Sequence, residues 1–188
     1  MDTRRIKISK LEAARRQLDT AIRLYFTDGD PISMHTLAAA SFEILKDLDK
    51  HGPNTGTFYD SIENVVRPGL EKQAIIAMRE AQNFLKHAEQ EPDKVLDFWL
   101  GYPEMLLGVA CDKYRELAAE ESAEMIVFAL WFGIQNPNVL RTEIAERLRQ
   151  IPLARTYAPS ERRQFFADFI EAASLSVVNL RASRNAGS

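Results

Sequence analysis

Apolar residues return every three or four positions through nearly all of this sequence, and that spacing constrains the fold more than any other feature. Leu11, Ala14, Leu18, Ala21, Ile22 and Tyr25 make the first such stripe. Side chains so spaced share one side of a helix turning about 100° per residue, whereas a half-buried strand needs strict alternation. Ser9-Lys10-Leu11-Glu12 stands before the stripe and reads as a capping box, in which Ser9 and Glu12 satisfy each other's free backbone N–H groups.

Asp28-Gly29-Asp30-Pro31 ends this helix and opens the next. Gly29 is expected to supply the left-handed turn, Asp30 the N-cap and Pro31 the first helical position. The spacing predicts a second helix over 31–49 that buries Ile32, Leu37, Ala38, Ser41, Leu45 and Leu48. So short a turn sets the two helices nearly antiparallel.

The clearest loop, 51–56, is followed by a predicted short helix over 57–66 and a long one over 70–89. The long one carries Ala74, Ala77, Met78, Ala81, Phe84, Leu85 and Ala88 on one side. Asp93 is expected to cap a turn bearing Val95, Leu96, Phe98 and Trp99. Further helices are predicted over 103–117, 122–135, 141–151 and 160–180. Residues 125–132 are apolar all round, the mark of a central buried helix. The tail, 181–188, lacks apolar anchors and is expected to fray. The expected fold class is all-α: a single-domain helical bundle over 1–180, with about six to eight helices.

Composition agrees. The 188 residues suit one ordinary domain, and 46% hydrophobic with 27% charged residues is a globular mix, not a disordered one. The most apolar stretch, 125–134, falls short of the ~20 residues that cross a bilayer. No apolar run of signal-peptide length follows the basic start, so a cytoplasmic protein with no membrane partner is expected. The single cysteine, Cys111, excludes an intramolecular disulfide framework and a multi-cysteine zinc site. It lies among Leu106, Leu107, Val109 and Ala110 and is expected to be a packed thiol. Tyr25, Phe26, Phe42, Phe58, Tyr59, Trp99 and Tyr102 are expected in the core.

Charge is uneven. Both ends are basic and the middle, 17–140, is acidic, within a net charge of −3. Either the terminal helices balance an acidic centre across the seams, or Arg141, Arg147, Arg149, Arg155, Arg162 and Arg163 form a basic surface for phosphate or nucleic acid.

Most catalytic motifs are missing. The residues three before His35, His51 and His87 are Ile32, Leu48 and Phe84, so no Glu-x-x-His pair exists for a carboxylate-bridged metal centre. His-Glu-x-x-His, the phosphate-cradling glycine loops and a Gly-x-Ser-x-Gly elbow are absent too. The sequence therefore predicts no metal and no cofactor. The most concentrated polar group is Arg79, Asn83 and His87, each four residues from the next, with Lys86 beside them. They share a narrow arc opposite the apolar face of the 70–89 helix. This arc is either a solvated face or a small site for an anionic ligand or phosphodiester, with His87 as acid/base and Arg79 as charge stabiliser. Ile76 lies in the same arc and suggests a cover, a partner helix or second subunit. His35 is expected to pack against the preceding turn or donate to a carboxylate such as Asp28, with a ligand role as the alternative.

Residues 18–24, Asp28-Gly29-Asp30-Pro31 and His35-Thr36-Leu37-Ala38, with the later Asn83-Phe84-Leu85-Lys86-His87-Ala88 and Glu89, resemble a widespread, functionally uncharacterised bacterial all-α family. That resemblance implies a fold and no activity. More remotely, an antiparallel helix pair followed by a helix with Arg and His is similar to HEPN domains, many of them metal-independent RNases. Those use an Arg-x(4–6)-His motif at a dimer interface, whereas seven residues separate Arg79 from His87 here. Residues 21–26 and 56–59 resemble the ends of a TetR-type DNA-binding domain.

The apolar stripes outnumber what the predicted helices can bury among themselves. The expected function is accordingly a homodimeric binding or regulatory module without enzymatic activity. The alternatives are a HEPN-like RNA-binding or RNA-cleaving protein using Arg79, Asn83 and His87, and a TetR-type regulator.

Overall fold

A computed structural model describes residues 5–50, 69, 71–87, 89, 92–138, 146 and 157–186. Among them the regular structure is entirely helical: α1 (Lys10–Phe26), α2 (Pro31–Asp49), α3 (Glu71–Lys86), α4 (Tyr102–Ala118), α5 (Ala123–Gln135) and α6 (Arg162–Ala186), with a 3-10 turn at Pro159–Glu161. The predicted helices over 57–66 and 141–151 lie outside the described residues, apart from helical Glu146.

The helix starts follow local chemistry. Ser9 Oγ accepts the Glu12 N–H at 3.1 Å, but the Glu12 carboxylate does not close the expected box. It is taken by Arg15 Nη2 and Arg16 Nε, each at 2.8 Å. Asp30 Oδ2 accepts from the Ser33 N–H at 2.7 Å, and Pro31 fills the first position of α2. Ser122 caps α5 through the Met125 N–H at 3.2 Å. Each cap gives an orphan N–H of the first turn its acceptor.

The turn between α1 and α2 differs from expectation. Asp28, not Gly29, adopts the left-handed conformation, with φ of 56°. Gly29 is needed for closeness instead: its N–H donates to Leu24 O at 2.8 Å. A Cβ there would stand 2.8 Å from Leu24 Cδ2 and 3.1 Å from Leu24 O.

α1 buries the expected stripe of Ala14, Leu18, Ala21, Ile22 and Tyr25. α2 buries Ala38, Ser41 and Leu45 as expected and covers a second side as well. Met34, His35, Ala38, Ala39, Phe42 and Leu45 are buried, whereas Ile32 is exposed and Leu37 and Leu48 are half-buried. The cause is that α2 lies between α1 and α4, so two of its sides are covered and the single-stripe estimate misses one. α5 buries Met125, Val127, Phe128, Trp131 and Phe132, yet Ala129 is exposed; it is not enclosed all round.

An aromatic cluster joins α1, α5 and α6. Phe26 stacks on Phe166 with centroids 4.7 Å apart and meets Trp131 edge-on, and Trp131 packs on Phe165 at 5.0 Å. Such contacts add roughly 0.5–1.5 kcal/mol each beyond their buried area. Charges balance across the seams as well. Arg162 and Arg163 both hold Asp28, and Arg23 holds Glu124. Arg141, Arg147, Arg149 and Arg155 lie outside the described residues. α6 continues to Ala186, past the point where a frayed tail was expected. No described helix is long and apolar enough to cross a membrane.

Candidate functional site

α3 carries the polar arc singled out from the sequence. It is anchored by Ala81, fully buried, and Ile75, and it packs on α2 and α4. Gln82 Nε2 donates to Glu43 Oε1 of α2 at 3.1 Å. Lys46 holds the other Glu43 oxygen. Burial alone would push the Glu43 carboxyl up, but the hydrogen bonds from Lys46 and Gln82 and the Lys46 and Lys86 charges leave it below its ordinary value.

On the outer side of α3, Arg79, Asn83 and Lys86 are exposed. The helix ends at Lys86, short of the predicted residue 89. His87, exposed and one position beyond, is held by its N–H donating to Asn83 O at 3.0 Å. The four residues thus sit at one end of one helix face. Ile76, expected to be covered, is 65% exposed within that face. Arg79 and Lys86 can attract an anion there, but water around an exposed pair weakens each contact.

His35 is placed elsewhere. It is fully buried, edge-on to Phe98 with centroids 5.5 Å apart and tilted against Tyr102 at 6.4 Å. Neither ring nitrogen has a hydrogen-bond partner among the described residues, and Asp28, its expected acceptor, is occupied by Arg162 and Arg163. Burial lowers the imidazole pKa to about 4, so the ring is neutral. Phe98 belongs to the segment 92–101, where the expected capped turn is only a short turn at 92–93 followed by irregular chain. Leu96 and Phe98 are half-buried, while Val95, Trp99 and Leu100 are exposed; Trp99 is not a core residue.

Cys111 is buried and burial pushes its thiol up, which leaves it a packing residue with no thiolate. Among the described residues no three His, Cys, Asp or Glu side chains are grouped to hold a metal ion.

Two features escaped the sequence reading. Lys113 of α4, buried, is paired with buried Asp49 of α2 at 2.8 Å. A groove of about 230 Å³ runs between the end of α4, the start of α5 and the far end of α6. Ala119, Glu120, Glu121, Ile126, Val177 and Leu180 are among its lining residues. The ion pair joins residues far apart in sequence and left no local signal. The groove had one: apolar residues beyond Ala173 at Leu175, Val177, Val178 and Leu180 are too spread around the helix for one buried stripe. No protein-family model, curated protein or solved structure matches this chain.

Proposed function

We propose that the chain is a homodimeric binding or regulatory module of the cytoplasm, with no enzymatic activity of its own. The observation that carries this reading is where large apolar side chains meet solvent. Ile76 on α3, Val95, Trp99 and Leu100 before α4, and Leu175, Val178 and Leu180 on α6 are all exposed. Exposed apolar side chains in groups are costly in water and mark surfaces that bind. The ionisable residues best suited to chemistry, Arg79, Lys86 and His87, are exposed, where water weakens each polar contact they make. Sedimentation equilibrium at micromolar concentration is expected to give a dimer. A monomer throughout that range overturns the reading.

A second reading, a HEPN-like RNA-binding or RNA-cleaving protein, draws support from Ile76, an exposed apolar residue within the face that carries Arg79, Asn83 and His87. A second subunit laid on that face would cover Ile76 and set two copies of the arc together. The test is a mixed RNA panel with wild type and His87→Ala. Loss of cleavage or binding in the variant supports this reading, and equal behaviour ends it. The TetR-type reading gains no such support, since α2 runs unbroken from Pro31 to Asp49 where a helix-turn-helix needs a turn.

A further inference from the structure

The groove between the end of α4, the start of α5 and the far end of α6 sets apolar and acidic residues side by side. Ile126, Val177 and Leu180 are its large apolar residues, and Glu120 and Glu121 line it with them. Arg115, the base of the lining, is held by Asp112 and Glu121. Residues 112–121 hold four acids against two bases, and the second base, Lys113, is buried with Asp49. α4 also ends here, at Ala118, and the carbonyl end of a helix favours cations. The chemistry that fits such a groove is apolar with positive charge alongside.

One segment of this chain has that chemistry. Arg5-Ile6-Lys7-Ile8-Ser9-Lys10 carries three bases and no acid. Arg5 to Ile8 precede α1 without regular structure, and all four are exposed, Ile6 at 70% and Ile8 at 46%. Ser9 is extended, with φ of −81° and ψ of 164°. Continued through the segment, that conformation turns Ile6 and Ile8 to one side and Arg5 and Lys7 to the other.

The segment starts too far from the groove of its own chain. α1 and α5 run in the same direction, tied first by Asp19 to Ser122 and then by Tyr25 to Trp131. Ile126 lies a turn beyond Ser122. Ser9 stands ten residues before Asp19, roughly 15 Å back along α1. Ile8 adjoins Ser9, and one step of about 3.8 Å does not recross that distance.

Resting on the homodimeric reading above, we infer that two copies of this chain exchange their N-terminal segments, with Ile6 and Ile8 of each entering the groove of the other. Arg5 and Lys7 then lie against Glu120 and Glu121. Segment and groove are different surfaces, so contacts made one way only would string copies into a chain. A two-fold axis closes both contacts into one dimer.

The test uses the full chain and sedimentation equilibrium, with circular dichroism and melting curves as folding controls. Ile6, Ile8 and Leu180 are exposed, so a charge at any of them is expected to leave the single chain folded. Ile6→Glu combined with Ile8→Glu is expected to raise the dimer dissociation constant by about a hundredfold, because each side chain is buried twice. Leu180→Arg, which sets a base where Arg5 and Lys7 must dock, is expected to do the same. Mixing the segment variant with the groove variant separates exchange from a structural lesion. An unlike pair keeps one intact segment in one intact groove, so the mixture is expected to dimerise more tightly than either variant alone. A dimer indifferent to these changes, or variants that mixing does not rescue, overturns the exchange and leaves self-association standing. A monomeric wild type overturns both.

Discussion

Ser122 Oγ donates to Asp19 Oδ1 at 2.6 Å while accepting the Met125 N–H at 3.2 Å. One hydroxyl therefore caps α5 and ties it to the middle of α1. Asp19 is buried, and burial raises its carboxyl pKa even though the Ser122 hydrogen bond acts the other way. Arg15 Nη1 reaches the second oxygen at 3.3 Å. Replacing Ser122 by Ala removes a cap and leaves a buried carboxylate short of a donor. A loss of about 2–3 kcal/mol is expected in urea unfolding. Ser122→Thr, which keeps the hydroxyl, is expected to recover most of it.

Gly29 tests the tight turn. A Cβ at 3.1 Å from Leu24 O and 3.0 Å from Leu24 Cβ meets backbone and side-chain root, neither of which moves easily. Gly29→Ala is expected to lower stability by about 1–3 kcal/mol. Were Gly29 a simple left-handed turn residue, Asn would be a fair substitute. Here Gly29→Asn is expected to be as harmful as Ala, as read by thermal melting.

How much of this was legible in advance depends on the range of each interaction. The caps at Ser9 and Asp30 were legible because a cap is settled within three residues. The second covered side of α2 was not, since a second covering helix arrives from residues 102–118. The helix that carries Arg79 and Asn83 was legible, because register is local, but it ends at Lys86, one residue before His87. Whether that face is covered is decided by other parts of the fold, and the exposure of Ile76 could not be foreseen.

The buried pair of Lys113 and Asp49 behaves as a unit. Lys113 also reaches Glu116 Oε2 at 3.0 Å. Burial lowers the ammonium pKa, but the bonds to Asp49 and Glu116 more than reverse this and leave it raised. Removing one partner strands the other charge away from water. Asp49→Ala is expected to cost about 3–5 kcal/mol. The double replacement Asp49→Leu with Lys113→Met is expected to cost much less than either single change, because no buried charge is left. Chemical denaturation of the three variants as a double-mutant cycle measures the coupling.

His35 makes stability depend on acid. In the folded chain the buried imidazole has a pKa of about 4, against 6.5 for the free group. The unfolded chain therefore binds a proton at His35 as pH falls below about 6.5, while the folded chain does not until about 4. Stability due to this group is complete above the upper value, falls through the window and levels off below it. The expected loss is roughly 3 kcal/mol. Glu12 acts in a separate, lower window: hydrogen bonds from Arg15 and Arg16 hold its carboxyl at about 2 against 4.5, so its contribution is lost only as pH falls from the upper figure to the lower. His35→Leu keeps an apolar filling under Phe98 and removes both unpartnered nitrogens. It is expected to flatten the pH dependence of the melting temperature between pH 6.5 and 4 while leaving the lower Glu12 window in place. A variant that keeps the wild-type slope across the upper window would show that acid acts through another group.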